Sequence, residues 1–190
     1  MILASASPRR AELLARLGIP FTVRPSRIPE PVRPGPPAEA VVALALAKAR
    51  AVAATAPRGA LVLGADTEVV LDGRVFGKPA DRAEAVGMLR ALGGRVHAVI
   101  TGVALVEAGG PREETLAVTS RVRMRAYQPA EIEAYVATGE PFDKAGGYAV
   151  QGDGSRLVAE VIGCFTNVVG LPVEATGRLL ARWGQRPSEP

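Results

Sequence analysis

The sequence predicts an α/β fold built on a mixed sheet, and three features predict it. Strand-type apolar runs (ILA at 2–4, LVLGA at 61–65, RVHAVITGVALV at 95–106) alternate along the chain with amphipathic helical stretches. Turn residues at Asp72-Gly73 and at Ala108-Gly109-Gly110-Pro111 add two antiparallel hairpins. The length of 190 residues, with 48% apolar, suffices for one substantial core and is too short for two full domains.

After the first apolar run and the loop Ser5-Ala6-Ser7, a helix starts at Pro8. Ser7 has the hydroxyl of an N-cap, and Pro8 has the fixed φ of a first helical position. Leu13, Leu14 and Leu17 form the apolar face, and Gly18 ends the helix. Arg9 and Arg10 break the local rule, because the first turn already carries the positive end of the helix dipole. Two cations there cost stability, so removing either is expected to leave stability unchanged or slightly raised. An anion held by free N–H groups, serine hydroxyls and both guanidiniums accounts for them, which makes this turn a candidate phosphate site.

Phe21–Val23 reads as a second strand, and the segment 25–37 as an exposed proline-rich loop. Its sole acid is Glu30, whose residue type alone predicts a solvated carboxylate. A long helix runs from Pro37 to about Ala56, with Val41, Leu44, Ala45 and Val52 on one stripe. Lys48 falls on that stripe. Either it snorkels its ammonium to the edge, or it points inward to meet a charged ligand.

LVLGA predicts a buried strand that delivers Asp66 and Thr67 at its end. A buried carboxylate needs a cation, and the candidates are Lys48, Lys78 or a metal ion, with a structural ion pair as the alternative use. Short strands at 69–71 and 74–76 flank Asp72-Gly73. Gly77-Lys78-Pro79 follows, then a helix capped by Asp81 and Glu84 and ended by Gly93-Gly94. Two long strands, 95–106 and 113–125, enclose His97 as a structural histidine. A helix spans 129–138. The segment 140–154, EPFDKAGGYAVQGDG, is a glycine-rich loop through which backbone approaches a flat ligand. A strand at 155–165 holds Cys164 as buried filler, a last helix reaches about Trp183, and residues 185–190 are expected to fray.

Composition narrows the function. The net charge is +4, from 23 basic and 19 acidic residues, but the basic residues are dispersed and aromatics make up only 4%. That argues against nucleic-acid binding. One histidine excludes a multi-histidine zinc site, and confines a serine triad to one that includes His97. No stretch reaches membrane-spanning length and no signal-peptide pattern opens the chain, so a cytoplasmic protein that does not engage membranes is expected. Walker and GxGxxG loops are absent. The remaining chemistry suits a phosphorylated small molecule. Arg9, Arg10, Lys48 and Lys78 supply positive charge, Asp66 supplies acid with Glu30 as a second candidate, and the glycine-rich loop offers a place for a base. Few carboxylates among several cations fit phosphoanhydride cleavage with Mg²⁺, which takes one or two carboxylates besides substrate phosphates.

SASPRRAELL, LVLGADTEVVLDGRVFGKP, the glycine-ended helix before RVHAVITGVAL, and EPFDKAGGYAVQG together resemble the Maf family of nucleoside triphosphate pyrophosphatases. The blocks span nearly the whole chain in family order. The resemblance implies one domain over 1–190: an elongated, twisted mixed sheet flanked by helices, with two lobes and a central cleft. It implies hydrolysis of a nucleoside triphosphate to monophosphate and pyrophosphate with a divalent cation, Mg²⁺ or Mn²⁺, and a homodimer as the assembly.

Residue by residue, the resemblance makes Asp66 the acidic catalytic residue, with Lys48, Lys78 and Glu30 beside it in catalysis. Asp66 and Glu30 become the metal ligands, and Ser5, Arg9 and Arg10 the phosphate motif. Arg10, Thr67 and Gln151 match positions associated with substrate choice. Pro29 stands where relatives often carry another acid. The spelling around Gln151 resembles the branch acting on dTTP and UTP, whose O4 acceptor and N3–H donor complement a glutamine amide. The competing reading is a non-catalytic nucleotide-binding regulator of septum formation.

Overall fold

Strand β1 (Ile2–Leu3) pairs in parallel with β2 (Thr22–Val23) and with β3 (Leu61–Leu71), and both its residues are buried. A computed structural model of the chain describes residues 1–30 and 35–186. Positions 31–34 of the proline-rich loop and 187–190 of the expected frayed tail lie outside the described residues.

Between β1 and β2, helix α1 (Pro8–Ala15) begins as its sequence predicts. The Ser7 hydroxyl accepts the Arg10 N–H at 3.4 Å, and Gly18 closes the following turn at a φ of 65°. Helix α2 (Pro37–Ala53) leads to β3, which forms a hairpin with β4 (Arg74–Phe76). Asp72 and Gly73 take φ values of 50° and 77°, the left-handed pair that a type I′ turn requires. In α3 (Arg82–Leu92), Asp81 accepts the Glu84 N–H at 2.8 Å while the Glu84 carboxylate accepts the Ala80 N–H at 2.7 Å. Strands β5 (Val96–Glu107), β6 (Glu113–Met124) and β7 (Val158–Ile162), with helices α4 (Pro129–Ala137), α5 (Phe165–Val169) and α6 (Val173–Arg182), complete the fold. The sheet has seven strands in the order β2-β1-β3-β5-β6-β7, with β4 on β3. Parallel pairs at β1 and antiparallel pairs at β3–β4 and β6–β7 make it mixed, so the chain has the expected α/β fold.

Two expectations change. β3 does not stop at Ala65; it runs unbroken through Asp66 to Leu71, because the carboxylate finds a cation without leaving the strand. The strand expected over 155–165 is shorter. Gly163, at a φ of 106°, ends it, and α5 turns Asn167 inward to donate to Val99 O and Ser120 Oγ, each at 3.0 Å. Cys164 in that turn is half-buried rather than buried, with Sγ 3.3 Å from Thr166 Oγ1.

The chain forms two compact units. The first comprises 1–66, 101–118 and 170–190, the second 67–100 and 119–169. In the first, α2 lies on the sheet over Ile2, Ala4, Val62, Ala104 and Val106, with Ala45, Ala49 and Val52 facing them. The approach is close because the strands offer glycine there. A Cβ on Gly64 would stand 2.2 Å from Ala45 O, and one on Gly102 2.5 Å from Val41 O. In the second unit, α3 and α4 pack around Val69, Phe76, Leu89, Leu92, Val122, Tyr135 and Tyr148. Among the described residues no helix is long and apolar enough to cross a membrane.

Candidate active site

The close seating of α2 on β3 sets the site. Asp66 follows Gly64 by two residues, so both face the same side of the strand, toward α2. Lys48 lies three residues beyond Ala45, almost one helical turn on, and its ammonium meets the carboxylate: Nζ to Asp66 Oδ1 is 2.8 Å. Lys48 and Asp66 are 5% and 7% exposed, so the pair is buried. Lys48 does not snorkel to the edge: its ammonium is buried against Asp66. Asp66 takes its cation from Lys48, not from Lys78.

Glu30 corrects its residue-type reading. It is not merely a solvated loop acid, since its Oε1 lies 2.8 Å from the same Nζ. One ammonium thus sits between two carboxylates, one buried and one with a half-exposed side chain. The physical reason is charge: a buried ammonium draws a second counterion from the loop beside it.

Arg10 also departs from expectation. Its Nε donates to Gly170 O at 2.9 Å and its Nη1 to Ala65 O at 2.9 Å, with Ser5 Oγ 3.5 Å from Nη1. Ser5, itself buried, accepts the Ser7 N–H at 3.2 Å. Burial lowers the Arg10 pKa, opposed by the nearby charges of Asp66 and Glu30, while Arg9 lowers it further. The helix-dipole argument therefore misses what Arg10 does for the fold, which is to satisfy two carbonyls of the first unit. Arg9 is half-buried in the first turn. Ser5, Arg9, Arg10, Glu30, Lys48 and Asp66 all belong to this unit.

Thr67, Lys78 and Gln151 belong to the second unit. Thr67 follows Asp66 along β3 and so faces the other side of the strand. Lys78 and Gln151 are exposed. The glycine-rich loop that carries Gln151 is held by Gly146, whose N–H donates at 2.9 Å to the carbonyl of Gly77, the neighbour of Lys78. Gly146 has a φ of 73°, and a Cβ there would lie 3.1 Å from the Val69 side chain, so only glycine fits. Lys144 Nζ donates to Glu140 O at 2.7 Å, and Glu140 Oε2 accepts the Gly154 N–H at 3.1 Å, which ties the two ends of the loop together. His97 is structural, as its place in a strand predicts. It is 2% exposed, its Nε2 lies 2.6 Å from Tyr148 Oη, and burial lowers its pKa to about 4.

The residues that sequence reasoning missed are the ones that place the charges. They are Gly64, which lets Lys48 reach Asp66, and the carbonyls of Ala65 and Gly170, which hold Arg10. For Gly64 a signal was present: a glycine inside a strand marks close approach of another backbone.

Among the described residues no group of three or more His, Cys, Asp and Glu side chains gathers to hold a metal ion. Glu30 and Asp66 nevertheless converge on one point, the Lys48 ammonium. Two hard carboxylate donors suit Mg²⁺ or Mn²⁺, which complete their shells with water and phosphate oxygens. The donor set fits such a cation.

The sequence pattern of the family described as Maf-like protein matches residues 1–183. A dTTP/UTP pyrophosphatase from Moorella thermoacetica is 60% identical over 186 residues, 97% of this chain and 95% of the relative. One from Symbiobacterium thermophilum is 52% identical over 185 residues, 97% of this chain and 94% of the relative. One from Myxococcus xanthus is 53% identical over 185 residues, 97% of this chain and 92% of the relative.

Proposed function

The chain belongs to the Maf family, and on that premise we propose that it is a nucleoside triphosphate pyrophosphatase that converts dTTP and UTP to the monophosphate and pyrophosphate. The observation that carries the reading is the convergence of Glu30 and Asp66 on Lys48 in the unit that also holds Arg9 and Arg10. That is an acid-and-cation set suited to a phosphoanhydride.

In the proposed reaction the oxygen of a water molecule attacks phosphorus. Its proton passes to the Asp66 carboxylate, and the bond between the α- and β-phosphates breaks so that pyrophosphate leaves. Arg9 and Lys48 take up negative charge on the phosphate oxygens, and the Ser5 hydroxyl donates to them. Lys78 adds positive charge, and Thr67 holds the nucleotide, both on the strength of the resemblance. Arg10 serves by fixing the Ala65 carbonyl next to Asp66. A divalent cation held by Asp66 and Glu30 would supply Lewis-acid polarisation of the phosphate and offset its charge.

Gln151 reads the O4 and N3–H edge of uracil or thymine with its amide. Gln151→Ala is expected to lower kcat/KM for dTTP and UTP about ten- to a hundredfold more than for dCTP, the worth of one or two buried hydrogen bonds. Equal losses for dTTP and dCTP would reduce Gln151 to a nucleotide-positioning residue.

The protein then clears surplus or non-standard pyrimidine nucleotides in the cytoplasm, as a homodimer. The test of the reaction is product analysis with dTTP, with and without Mg²⁺. Mg²⁺-dependent release of dTMP and pyrophosphate in equal amounts is expected. Release of dTDP and orthophosphate, or binding without turnover, would overturn the reading.

A further inference from the structure

Two positive charges contend for the place between Glu30 and Asp66. One is Lys48 Nζ, 2.8 Å from an oxygen of each carboxylate. A divalent cation bound by both acids would draw on the same two carboxylates. At about 4 Å, and an effective dielectric near 20, each pair of unit charges repels by about 4 kcal/mol, so an ammonium and a metal on the same two carboxylates oppose each other.

One of the cations near the acids is fixed and the other is movable. Arg10 interacts with Asp66 and Glu30 through charge, yet it is anchored by bonds to Gly170 O and Ala65 O. Among the described residues the partners of the Lys48 ammonium are the two carboxylates alone. Lysine is a compact point charge on a flexible four-carbon stem, able to exchange one anion for another. The exchange has a natural acceptor in the phosphates of the substrate.

We infer that Lys48 is a displaceable counterion which occupies the metal's place in the absence of substrate, so that the divalent cation binds weakly by itself and tightly with the triphosphate that draws Lys48 away. This rests on the assignment of Glu30 and Asp66 as metal ligands above. The consequence is ordered loading: one of the two carboxylate charges stays offset by Lys48 until the nucleotide arrives, and the metal enters with it. In linkage terms the triphosphate and the metal are positively coupled through one lysine.

The test uses Mn²⁺ alone, without nucleotide, titrated by calorimetry and by its paramagnetic resonance signal. Lys48→Gln keeps a hydrogen-bond donor but removes the charge, and is expected to bind Mn²⁺ about tenfold or more tightly than the wild type, as loss of a competing ligand requires. Asp66→Asn in the Lys48→Gln background should abolish the gain. A second readout needs no variant. Small-reagent acylation of Lys48, mapped by mass spectrometry in the wild-type protein, should rise when Mn²⁺ saturates the site, because the ammonium is released from its carboxylates.

Equal Mn²⁺ affinity of wild type and Lys48→Gln, lost in Asp66→Asn, would overturn the competition and leave the metal assignment standing. So would Lys48 acylation unchanged at saturating Mn²⁺, and this decides the matter if Lys48→Gln does not fold. Absence of Mn²⁺ binding to wild type and Lys48→Gln alike would overturn both the competition and the assignment of Glu30 and Asp66.

Discussion

The Nη1 of Arg10 donates to the carbonyl of Ala65 at 2.9 Å, across the same peptide unit that carries the N–H of Asp66. With Nε on Gly170 O, this guanidinium ties the start of α1 to the middle of β3 and to the turn before α6. Arg10→Ala should therefore lower stability by about 2 kcal/mol or more, the cost of leaving buried carbonyls unpaired, besides weakening catalysis. In a chain of this size that is a fall of roughly 4–8 °C in Tm. Arg9→Ala should lower kcat/KM while leaving Tm in place or slightly higher, since it relieves the dipole conflict. Paired thermal melts and steady-state kinetics check this, and an unchanged Tm in Arg10→Ala would show that the carbonyl bonds do not matter.

Gly64 offers a second test, through backbone. A Cβ there would sit 2.2 Å from Ala45 O and 2.9 Å from Ala49 N, neither of which can move without shifting α2. Gly64→Ala should destabilise by about 3 kcal/mol and depress activity, because any retreat of α2 carries Lys48 away from Asp66. At Gly87, in α3, a Cβ would meet nothing within 4 Å, so Gly87→Ala should be neutral or stabilising and serves as the control. Equal melting temperatures for the two variants would contradict the close packing.

Much of this was legible in the sequence because local chemistry dictates it. Ser7-Pro8 starts α1, Asp72-Gly73 turns the hairpin, Asp81 and Glu84 cap α3, and each sits where its side chain or φ preference requires. The charged candidates were legible too, since a lysine on an apolar stripe and an aspartate after a buried strand both demand partners. What could not be read was which partner each would take. Glu30 reaching Lys48, and Arg10 spanning 55 residues to Ala65 and 160 to Gly170, are decided by tertiary packing that no local pattern encodes. The helix-dipole rule is incomplete for Arg10 for the same reason: it counts one turn of helix and not the carbonyls brought to it from afar.

His97 yields a pH prediction. Burial lowers its pKa to about 4, below the ordinary 6.5, so between those values the unfolded chain binds the proton more readily than the folded one. Its contribution to stability is complete above about pH 6.5 and is lost progressively as pH falls toward 4, by about 3 kcal/mol in all. As the chain has one histidine, its imidazole signal is unambiguous in a proton NMR titration. The folded protein should show it neutral at pH 5, with urea-unfolding free energy falling from pH 6.5 downward. Titration of the folded protein near 6.5 would contradict the buried, neutral imidazole beside Tyr148.

The account turns on Asp66, and the most direct measurement is pyrophosphate release from dTTP by Asp66→Asn. Asparagine keeps the side chain's shape and an oxygen for Lys48 Nζ, so the variant should fold, while losing the carboxylate that accepts the proton and holds the metal. Turnover should fall by about a thousandfold or more, at least 4 kcal/mol of barrier. A folded Asp66→Asn that releases pyrophosphate within about tenfold of the wild-type rate, ~1.4 kcal/mol, would contradict it.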